Sequence, residues 1–383
     1  MTTKKILTNF SILALSIGLG LLLCELISRH VLNPSDFLSV EMVNDEVLGA
    51  VPASSARAGF DKWGFRNPGV PETADIVAIG DSHTYGNTAR MEDSWPYVLG
   101  RLTGRTVYNM GMGGYGPNQY LYLLETRALS LKPRIIICGF YMGDDFENAF
   151  SITYGLDHWA YLRGLPADKV NYDIWGAPPS PPSWHKRIRV WLSQHSVVYQ
   201  VVFHTSLVGR LQGQVQINRA PQFDSSVTSL IVPEKNILEA FRPIGMLSRI
   251  DQGDPNVREG MRITFKLLQE MNETCRQNRV QFLVVVIPAK EMVFEDYLEH
   301  NPKLPLSDVL DKLVANERLA RDRTFQSLTD SNISYVDVLP ELKASRQNEL
   351  YARTAADMHP NKNGYRVIAE AILECLKQNG ESR

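Results

Sequence analysis

The sequence predicts an α/β fold in which helices cover both faces of a parallel sheet. Short apolar runs alternate with longer amphipathic stretches, a pattern typical of parallel strands joined by helices. The run at 134–141 is almost continuously apolar, as expected of a strand buried on both faces. We therefore expect a doubly wound sheet with right-handed crossovers and the flavodoxin-like strand order 2-1-3-4-5.

The predicted elements follow one another regularly along most of the chain. The predicted strands comprise residues 75–79, 106–109, 134–141, 280–287 and 333–338. The predicted helices comprise residues 94–102, 118–130, 256–278, 306–328 and 362–378. Residues 146–255 break this rhythm with a proline-rich run and several tryptophans. We expect an inserted subdomain there, either a cap on the ligand-facing edge of the sheet or a peripheral unit with its own aromatic core.

The N-terminal segment is apolar enough to cross a membrane. Residues 6–24 contain no charged side chain; Lys4 and Lys5 precede them, and Glu25 and Arg29 follow. A spanning helix needs about 20 apolar residues. The alternative is a cleaved signal peptide, but its shorter apolar core and small-residue cleavage pattern are not found here.

We therefore predict three regions and an orientation. They are an uncleaved transmembrane signal anchor at 6–28, a stalk or lead-in at 29–60, and a folded domain at 61–380 that carries the insertion. The positive-inside rule places the two N-terminal lysines in the cytoplasm. The folded domain then lies outside the cytoplasm, in the periplasm if the source is Gram-negative.

Composition excludes several classes of protein. The 383 residues carry a net charge of −2, so nothing indicates a nucleic-acid partner. The cysteines show no close pair that would indicate a zinc site or a redox motif. These cysteines are Cys24, Cys138, Cys275 and Cys375. A bridge between the last two remains open. We expect no metal and no cofactor.

Two separated motifs carry the chemistry. Gly80-Asp81-Ser82-His83 follows the apolar run 76–79, which places a serine just beyond the end of a strand. Ligands of open α/β sheets bind outside the carboxyl ends of the strands. Asp357-Met358-His359 precedes the last predicted helix. A serine hydroxyl needs a neighbouring base to become a nucleophile, and the base needs an orienting group.

With these motifs the sequence resembles the SGNH (GDSL-type) hydrolases, and its apolar N-terminus resembles that of membrane-anchored bacterial members. The resemblance implies the flavodoxin-like fold, with Ser82 as nucleophile, His359 as general base and Asp357 as its orienting group. It also implies three donors to the oxyanion: the N–H of Ser82, the N–H of Gly114 and the side chain at position 144.

The chain departs from the family pattern at two positions. The final motif is Asp-x-His, one residue shorter than the usual Asp-x-x-His, which leaves the geometry of Asp357 open. Position 144 is aspartate where the family has asparagine, and an ionised carboxylate cannot donate a hydrogen bond. Either Asp144 is protonated, another donor replaces it, or the reaction is slow.

The resemblance implies a serine esterase or acyl hydrolase whose partners are an acyl-ester substrate, lipid or glycan, and the membrane. Two alternatives stay open. The acyl group could pass to a hydroxyl of an extracytoplasmic polysaccharide, making the chain an O-acyltransferase. The chain could also be a catalytically weak scaffold protein that kept the fold.

Overall fold

The computed structural model describes residues 3–53, 60–166, 170, 183–204, 224–352 and 357–378. These ranges contain nine strands and fourteen α-helices. The strands are β1 (Met42–Asp45), β2 (Gly49–Pro52), β3 (Ile76–Gly80), β4 (Val107–Gly111), β5 (Ile135–Tyr141), β6 (Thr228–Val232), β7 (Ile237–Phe241), β8 (Gln281–Ile287) and β9 (Ser334–Asp337). The helices are α1 (Thr3–Val31), α2 (Ser82–Tyr85), α3 (Trp95–Thr103), α4 (Pro117–Thr126), α5 (Asp145–Gly155), α6 (Trp184–His195), α7 (Val197–His204), α8 (Pro243–Ile250), α9 (Pro255–Gln277), α10 (Lys290–Val293), α11 (Glu295–Leu298), α12 (Ser307–Asp330), α13 (Leu339–Ser345) and α14 (Lys362–Gln378).

The central sheet has five parallel strands in the order β4-β3-β5-β8-β9. Counted along the chain, this is the order 2-1-3-4-5, so the predicted topology is confirmed. The strand order reverses between β3 and β5, and β3 carries the serine motif at its carboxyl end. This is the point at which an open α/β sheet binds its ligands.

Alternate residues of each strand enter two separate cores. Val77 and Ile79 of β3 pack with apolar side chains of α4, α5 and α9, whereas Ile76 and Ala78 pack with those of α3, α13 and α14. This alternation follows from the period of two in a strand. Helices therefore cover both faces of the sheet, as a doubly wound fold requires.

The predicted helix 118–130 is interrupted. The α-helix α4 ends at Thr126, and a 3-10 turn follows at Ala128–Leu131. Arg127 between them leaves helical geometry at φ −134°. Ala128 and Leu131 of this turn are both buried in the core.

The segment that was expected to be a stalk packs on the domain instead. Helix α1 continues to Val31, a 3-10 turn spans Pro34–Asp36, and β1 and β2 form an antiparallel hairpin. Leu38 and Leu48 are both 4% exposed, so this segment buries apolar side chains of its own. Its strands have four residues each, too short to give a clear period in the sequence.

The predicted insertion is not one separate unit. Helix α5, at its start, packs Phe146, Ala149 and Phe150 into the core beneath the sheet. The antiparallel hairpin β6–β7 packs Leu230, Ile237 and Phe241 into the core on the other face of the sheet, whereas α6 buries none of its residues. The proline-rich run 177–182 and Trp175 lie outside the described residues.

None of the four cysteines forms a disulfide. Cys275 is buried in the core on one face of the sheet, whereas Cys375 packs against the core on the other face. The bridge that the sequence left open between them is therefore absent, because the sheet separates the two sulfurs.

Candidate active site

Ser82 is the first residue of the short helix α2, directly after β3. Asp81 caps this helix, since its Oδ1 accepts the backbone N–H of His83 at 2.8 Å. Gly86 ends the helix in the left-handed region at φ 87°. Ser82 is 9% exposed, so its hydroxyl is close to the surface but not freely solvated.

A row of three glycines lets α2 lie directly on the sheet. Gly80 of β3 is in register with Gly111 of β4 and Gly139 of β5. A Cβ atom on Gly80 or Gly139 would come within 2.1 and 2.2 Å of Thr84 Oγ1, respectively. A Cβ on Gly111 would come within 2.2 Å of the backbone nitrogen of Tyr85. Only glycine permits this close approach, which fixes the height of Ser82 above the strands.

The structure brings His359 next to Ser82 and Asp357 next to His359. His359 Nε2 lies 2.8 Å from Ser82 Oγ. Asp357 Oδ1 lies 2.8 Å from His359 Nδ1 and also accepts the backbone N–H of His359 at 2.9 Å. The short Asp-x-His spacing therefore still places the carboxylate on the far ring nitrogen, with one oxygen holding both the ring and its backbone.

Hydrogen bonds join the loop after α2, at Asn87 and Thr88, to the segment that carries His359. Thr88 Oγ1 donates to the carbonyl of Pro360 at 2.7 Å, and the Tyr365 hydroxyl donates to the carbonyl of Asn87 at 2.9 Å. The Asn87 side-chain nitrogen lies 3.4 Å from His359 Nε2. These contacts join residues far apart in sequence and fix the imidazole next to Ser82.

The His–Asp pair favours its charged form. Burial by itself would lower the pKa of His359, but the hydrogen bond and the negative charge of Asp357 outweigh burial and raise this pKa. Burial would likewise raise the pKa of Asp357, but the hydrogen bonds and charge of His359, with a smaller effect of Lys290, hold it below its usual value. Asp357 can therefore stabilise an imidazolium at His359.

His83 lies behind the reacting pair. It is 1% exposed, its Nδ1 lies 3.0 Å from Asp81 Oδ2, and its ring stacks on Tyr141 at 3.8 Å between centroids. Its ring centroid is 4.8 Å from that of His359. Burial lowers the pKa of His83 despite the nearby Asp81 charge. A neutral His83 can therefore support the His359 ring without repelling its positive charge.

Asp144 lies at the start of α5 without capping it. Its Oδ1 is buried and has no hydrogen-bond partner, and its Oδ2 lies 3.7 Å from the guanidinium of Arg249. Burial and the negative charge of Asp81 raise the pKa of Asp144 to about 7, although Arg249 opposes the shift. The carboxyl can therefore carry a proton near neutral pH.

The neighbouring Asp145 has a structural role: its carboxylate accepts hydrogen bonds from the Tyr120 hydroxyl at 2.7 Å and from the Tyr141 N–H at 2.9 Å.

The glycine loop after β4 approaches Ser82 at Gly113. A Cβ placed on Gly113 would lie 3.9 Å from Ser82 Cβ, whereas a Cβ on Gly114 would meet no atom within 4 Å. Gly114 adopts the left-handed region at φ 79°. The assignment of an oxyanion donor to Gly114 stays a prediction, and Gly113 is the residue that brings this loop against the serine.

A cavity of about 370 Å³ adjoins the site. Asn87 and Gly113 belong both to its wall and to the surroundings of Ser82 and His359. The opposite wall comes from the segment after α1, including Leu38 and Met42. No sequence pattern indicates that this segment borders the site, because its apolar residues follow no regular period.

Arg66 fastens this cavity wall to the serine helix. Its Nη2 lies 2.5 Å from Asp36 Oδ1 and 2.9 Å from the carbonyl of Ala89, and its Nη1 donates to the carbonyl of Gly86 at 3.2 Å. The Arg66 side chain is 2% exposed. A buried arginine that joins two loops could not be distinguished in sequence from an ordinary surface arginine.

Lys290 is a second buried cation that the sequence did not identify. Its ammonium lies 2.6 Å from Glu239 Oε2 and donates to the carbonyl of Asp357 at 3.3 Å. The lysine is 2% exposed and the glutamate 6%. Since Glu239 belongs to β7, this pair fastens the β6–β7 hairpin to the loop that carries Asp357.

No ligand set for a metal emerges from the described ranges, where no group of three or more His, Cys, Asp or Glu side chains could hold an ion. What the arrangement offers is a serine hydroxyl in contact with an imidazole that a carboxylate supports. This set of groups is suited to nucleophilic acyl transfer.

Comparisons with known proteins give distant likenesses. No family model and no curated protein matches this chain. Among solved structures, a GDSL-like lipase from Bacteroides thetaiotaomicron VPI-5482 is 10% identical, with a TM-score of 0.34, covering 81% of this chain and 93% of that one. A catalytic mutant of an acetylxylan esterase from Geobacillus stearothermophilus is 12% identical, with a TM-score of 0.35, covering 80% and 95%. An alpha/beta hydrolase enzyme from the metagenome of Lake Arreo, Spain, is 13% identical, with a TM-score of 0.35, covering 82% and 98%.

Proposed function

We propose that this chain is a serine esterase with a catalytic centre of the kind found in SGNH (GDSL-type) hydrolases. The observation that carries the proposal is the contact of 2.8 Å between Ser82 Oγ and His359 Nε2, with Asp357 Oδ1 2.8 Å from Nδ1 of the same ring. This arrangement supports the roles of serine nucleophile, general base and orienting carboxylate for the three residues. The bond attacked is the ester of an acylated lipid or glycan.

The reaction follows from these contacts. His359 Nε2 takes the proton of Ser82 as Oγ attacks the ester carbonyl. The tetrahedral intermediate then collapses to an acyl-serine, and His359 returns the proton to the leaving alcohol. Water then hydrolyses the acyl-serine. His359 takes a proton from water, the hydroxide adds to the acyl carbon, and Ser82 leaves with the proton from His359. Asp357 stabilises the imidazolium in each half.

The oxyanion is the weaker part of the site. Ser82 is the first residue of α2, so its N–H has no partner in the preceding turn of the helix and can point at an oxyanion. The N–H of Gly114 is the second proposed donor. Asp144 donates only when protonated, and its pKa of about 7 makes that state accessible. We expect activity to survive on the two backbone donors at a reduced rate.

The chain is held at a membrane by α1. The stretch Thr8–Val31 has a mean hydropathy of 2.3, and none of its most apolar window is buried in the fold. A signal sequence near the N-terminus can be equally long and apolar. We propose an uncleaved anchor, with the catalytic domain outside the cytoplasm. Retention of α1 in the mature chain after alkaline extraction of membranes tests this, and a soluble chain that begins beyond Val31 would contradict it.

Hydrolysis of p-nitrophenyl acetate by the detergent-purified full chain tests the catalytic proposal. We expect turnover to fall to the uncatalysed rate in Ser82→Ala and in His359→Ala. Ser248→Ala, which removes an exposed hydroxyl on α8, should keep the parent rate. Equal rates in the parent chain and Ser82→Ala would contradict an esterase.

The same preparation separates hydrolysis from the alternatives. If Ser82 becomes acylated but the product appears only when a glycan acceptor is added, the chain is an O-acyltransferase. If Ser82 is never acylated, a catalytically weak scaffold protein is the better description.

A further inference from the structure

Helix α6 displays an apolar stripe on the surface of the protein. Trp184, Ile188 and Trp191 stand at positions i, i+4 and i+7, so they share one side of the helix. Their exposed fractions are 69%, 49% and 57%. Two exposed tryptophans on one stripe are a large apolar surface for a chain of only six tryptophans.

The end of α6 is fixed to the end of α1. Arg29 Nη2 donates to the carbonyl of His195, the last residue of α6, at 2.6 Å. Glu25 accepts the backbone N–H groups of Val197 and Val198, at the start of α7, at 3.0 and 3.1 Å. Arg29 thus caps the C-terminal end of α6, and Glu25 caps the N-terminal end of α7.

Glu25 and Arg29 also pair with each other across one turn of α1, at 2.7 Å. The pair therefore forms one joint between α1, α6 and α7, and it accounts for the two charged residues that follow the apolar stretch 6–24. Arg29 lies two residues before the end of α1, so the joint is located where α1 would leave a bilayer.

The charges of α6 match an anionic lipid surface. Its twelve residues include Lys186, Arg187 and Arg189 and no acidic residue, whereas the whole chain has a net charge of −2. Basic residues next to exposed tryptophans are typical of helices that lie in the interface of a membrane. Tryptophan is itself enriched at the level of the lipid headgroups.

We propose that α6 lies on the outer surface of the bilayer that α1 crosses, with Trp184, Ile188 and Trp191 among the lipid headgroups. This inference rests on the proposed membrane anchor and is independent of the esterase proposal. A helix of twelve residues is about 18 Å long, so Trp184, at the other end of α6, lies within about 18 Å of the joint. The partner is a lipid surface, not a protein.

Quenching by brominated lipids in vesicles tests the proposal on the full chain. The chain is reconstituted into vesicles of phosphatidylcholine and phosphatidylglycerol, with or without lipids brominated near the headgroup. We expect bromine to quench a substantial part of the tryptophan fluorescence. The variant W184F/W191F should lose roughly half or more of that quenching, because interfacial tryptophans are the ones that bromine reaches. Trp63→Phe, a change in the folded domain, should keep it.

Two outcomes would overturn the proposal. Equal quenching in the parent chain and W184F/W191F would show that the stripe does not contact lipid. Disulfide crosslinking of two Ile188→Cys chains, with no quenching in the parent chain, would show that a second copy covers the stripe. Failure of the anchor is recognised separately, because the chain would then not remain with the vesicles under alkaline extraction.

Discussion

The hydroxyl of Ser82 has two acceptors within reach, and their distances decide between them. His359 Nε2 lies 2.8 Å from Ser82 Oγ, whereas Asp81 Oδ2 lies 3.4 Å away and already contacts His83 Nδ1 at 3.0 Å. A hydrogen bond weakens as the distance grows beyond its usual range. The proton of Ser82 is therefore directed to His359, and Asp81 is left to cap α2 and to hold His83.

The residue at position 144 determines how the rate depends on pH. The pKa of Asp144 is about 7, so its carboxyl is protonated below that value and ionised above it. Only the protonated form can donate to the oxyanion. We expect Asp144→Asn to change turnover little near pH 6. Well above pH 7 it should raise turnover by up to ~10²-fold, about the effect of restoring one donor.

The measurement is the pH profile of kcat for the parent chain and Asp144→Asn. On the acid side both profiles should fall together, because protonation of His359 removes the base in both. On the alkaline side only the parent profile should fall. A lower kcat in Asp144→Asn at every pH would contradict the account.

Lys290 supports both the fold and the position of Asp357. Replacing it by methionine leaves Glu239 buried without its cation, which costs about 3–5 kcal/mol. It also removes the donor to the carbonyl of Asp357. We expect Lys290→Met to lower both the free energy of unfolding and kcat, with little change in KM. Urea unfolding and steady-state kinetics measure the two effects.

A second variant separates these two roles. Lys290→Met combined with Glu239→Leu removes both buried charges, so most of the lost stability should return. The contact with Asp357 stays broken, so kcat should stay low. If kcat returned together with stability, Lys290 would act on the fold alone.

The sequence predicts some of these residues and not others for a physical reason. Ser82, His359 and Asp357 stand in two short motifs, and the resemblance of these motifs to those of a known family predicts their roles. Lys290 is followed directly by Glu291, a pattern that resembles a solvated surface. Its function depends on Glu239, on another element, and only the packed structure brings the two together.

At the scale of elements, the contact between α2 and the sheet is held by the glycine row. Gly139→Ala would place a methyl group 2.2 Å from Thr84 Oγ1 and 3.4 Å from Trp95. We expect it to lower the free energy of unfolding by about 1–3 kcal/mol, the usual cost of overpacking a core. Because α2 carries Ser82, kcat should fall as well.

Thr84→Ala provides the matched rescue. Thr84 Oγ1 is buried and has no hydrogen-bond partner, so its removal costs little. In Gly139→Ala with Thr84→Ala, the nearest remaining atom of residue 84 is its Cβ at 3.6 Å, an ordinary contact. We expect the double variant to recover stability and turnover. Additive losses in this double-mutant cycle would show that the two residues do not collide.

The periodicity of the sequence predicts helices and strands but not the contacts between them. The five strands of the central sheet follow from the alternation of apolar runs with amphipathic stretches, whereas their order is the usual one for this fold class and is the order that the family resemblance implies. The glycine row follows from neither, because it depends on the register of β3 with β4 and β5. The packing of residues 34–52 on the domain was missed as well, because that segment is held by isolated contacts such as that of Asp36 with Arg66.

Across the whole molecule, the candidate site lies close to the end of α1. The cavity beside Ser82 is lined from Ser35 onward, and α1 ends at Val31. Four residues, 35 − 31, can extend by at most about 14 Å. If α1 spans a bilayer, one wall of the cavity therefore lies near the lipid surface. An acyl ester that belongs to a lipid, or is carried by one, could then reach the cavity without leaving the surface.

A chain without most of α1 tests whether the anchor supports the surface helices, the candidate active site or both. A fragment that begins at His30 lacks Glu25 and Arg29, so the joint with α6 and α7 loses its charged caps. Loss of a helix cap costs about 1 kcal/mol, and two such losses correspond to a factor of roughly 30 in local opening. We expect trypsin to cut the fragment after Lys186, Arg187 or Arg189 several times faster than the full chain in detergent.

Turnover of p-nitrophenyl acetate should be unchanged in the same fragment, because Ser82, His359 and Asp357 are held by the sheet and by Lys290. The comparison therefore separates two designs of the molecule. If proteolysis of α6 accelerates while turnover stays constant, α1 positions the surface helices and the sheet alone positions the site. If turnover falls in parallel with proteolysis, the joint at Glu25 and Arg29 also supports the cavity wall, and the anchor is part of the catalytic unit.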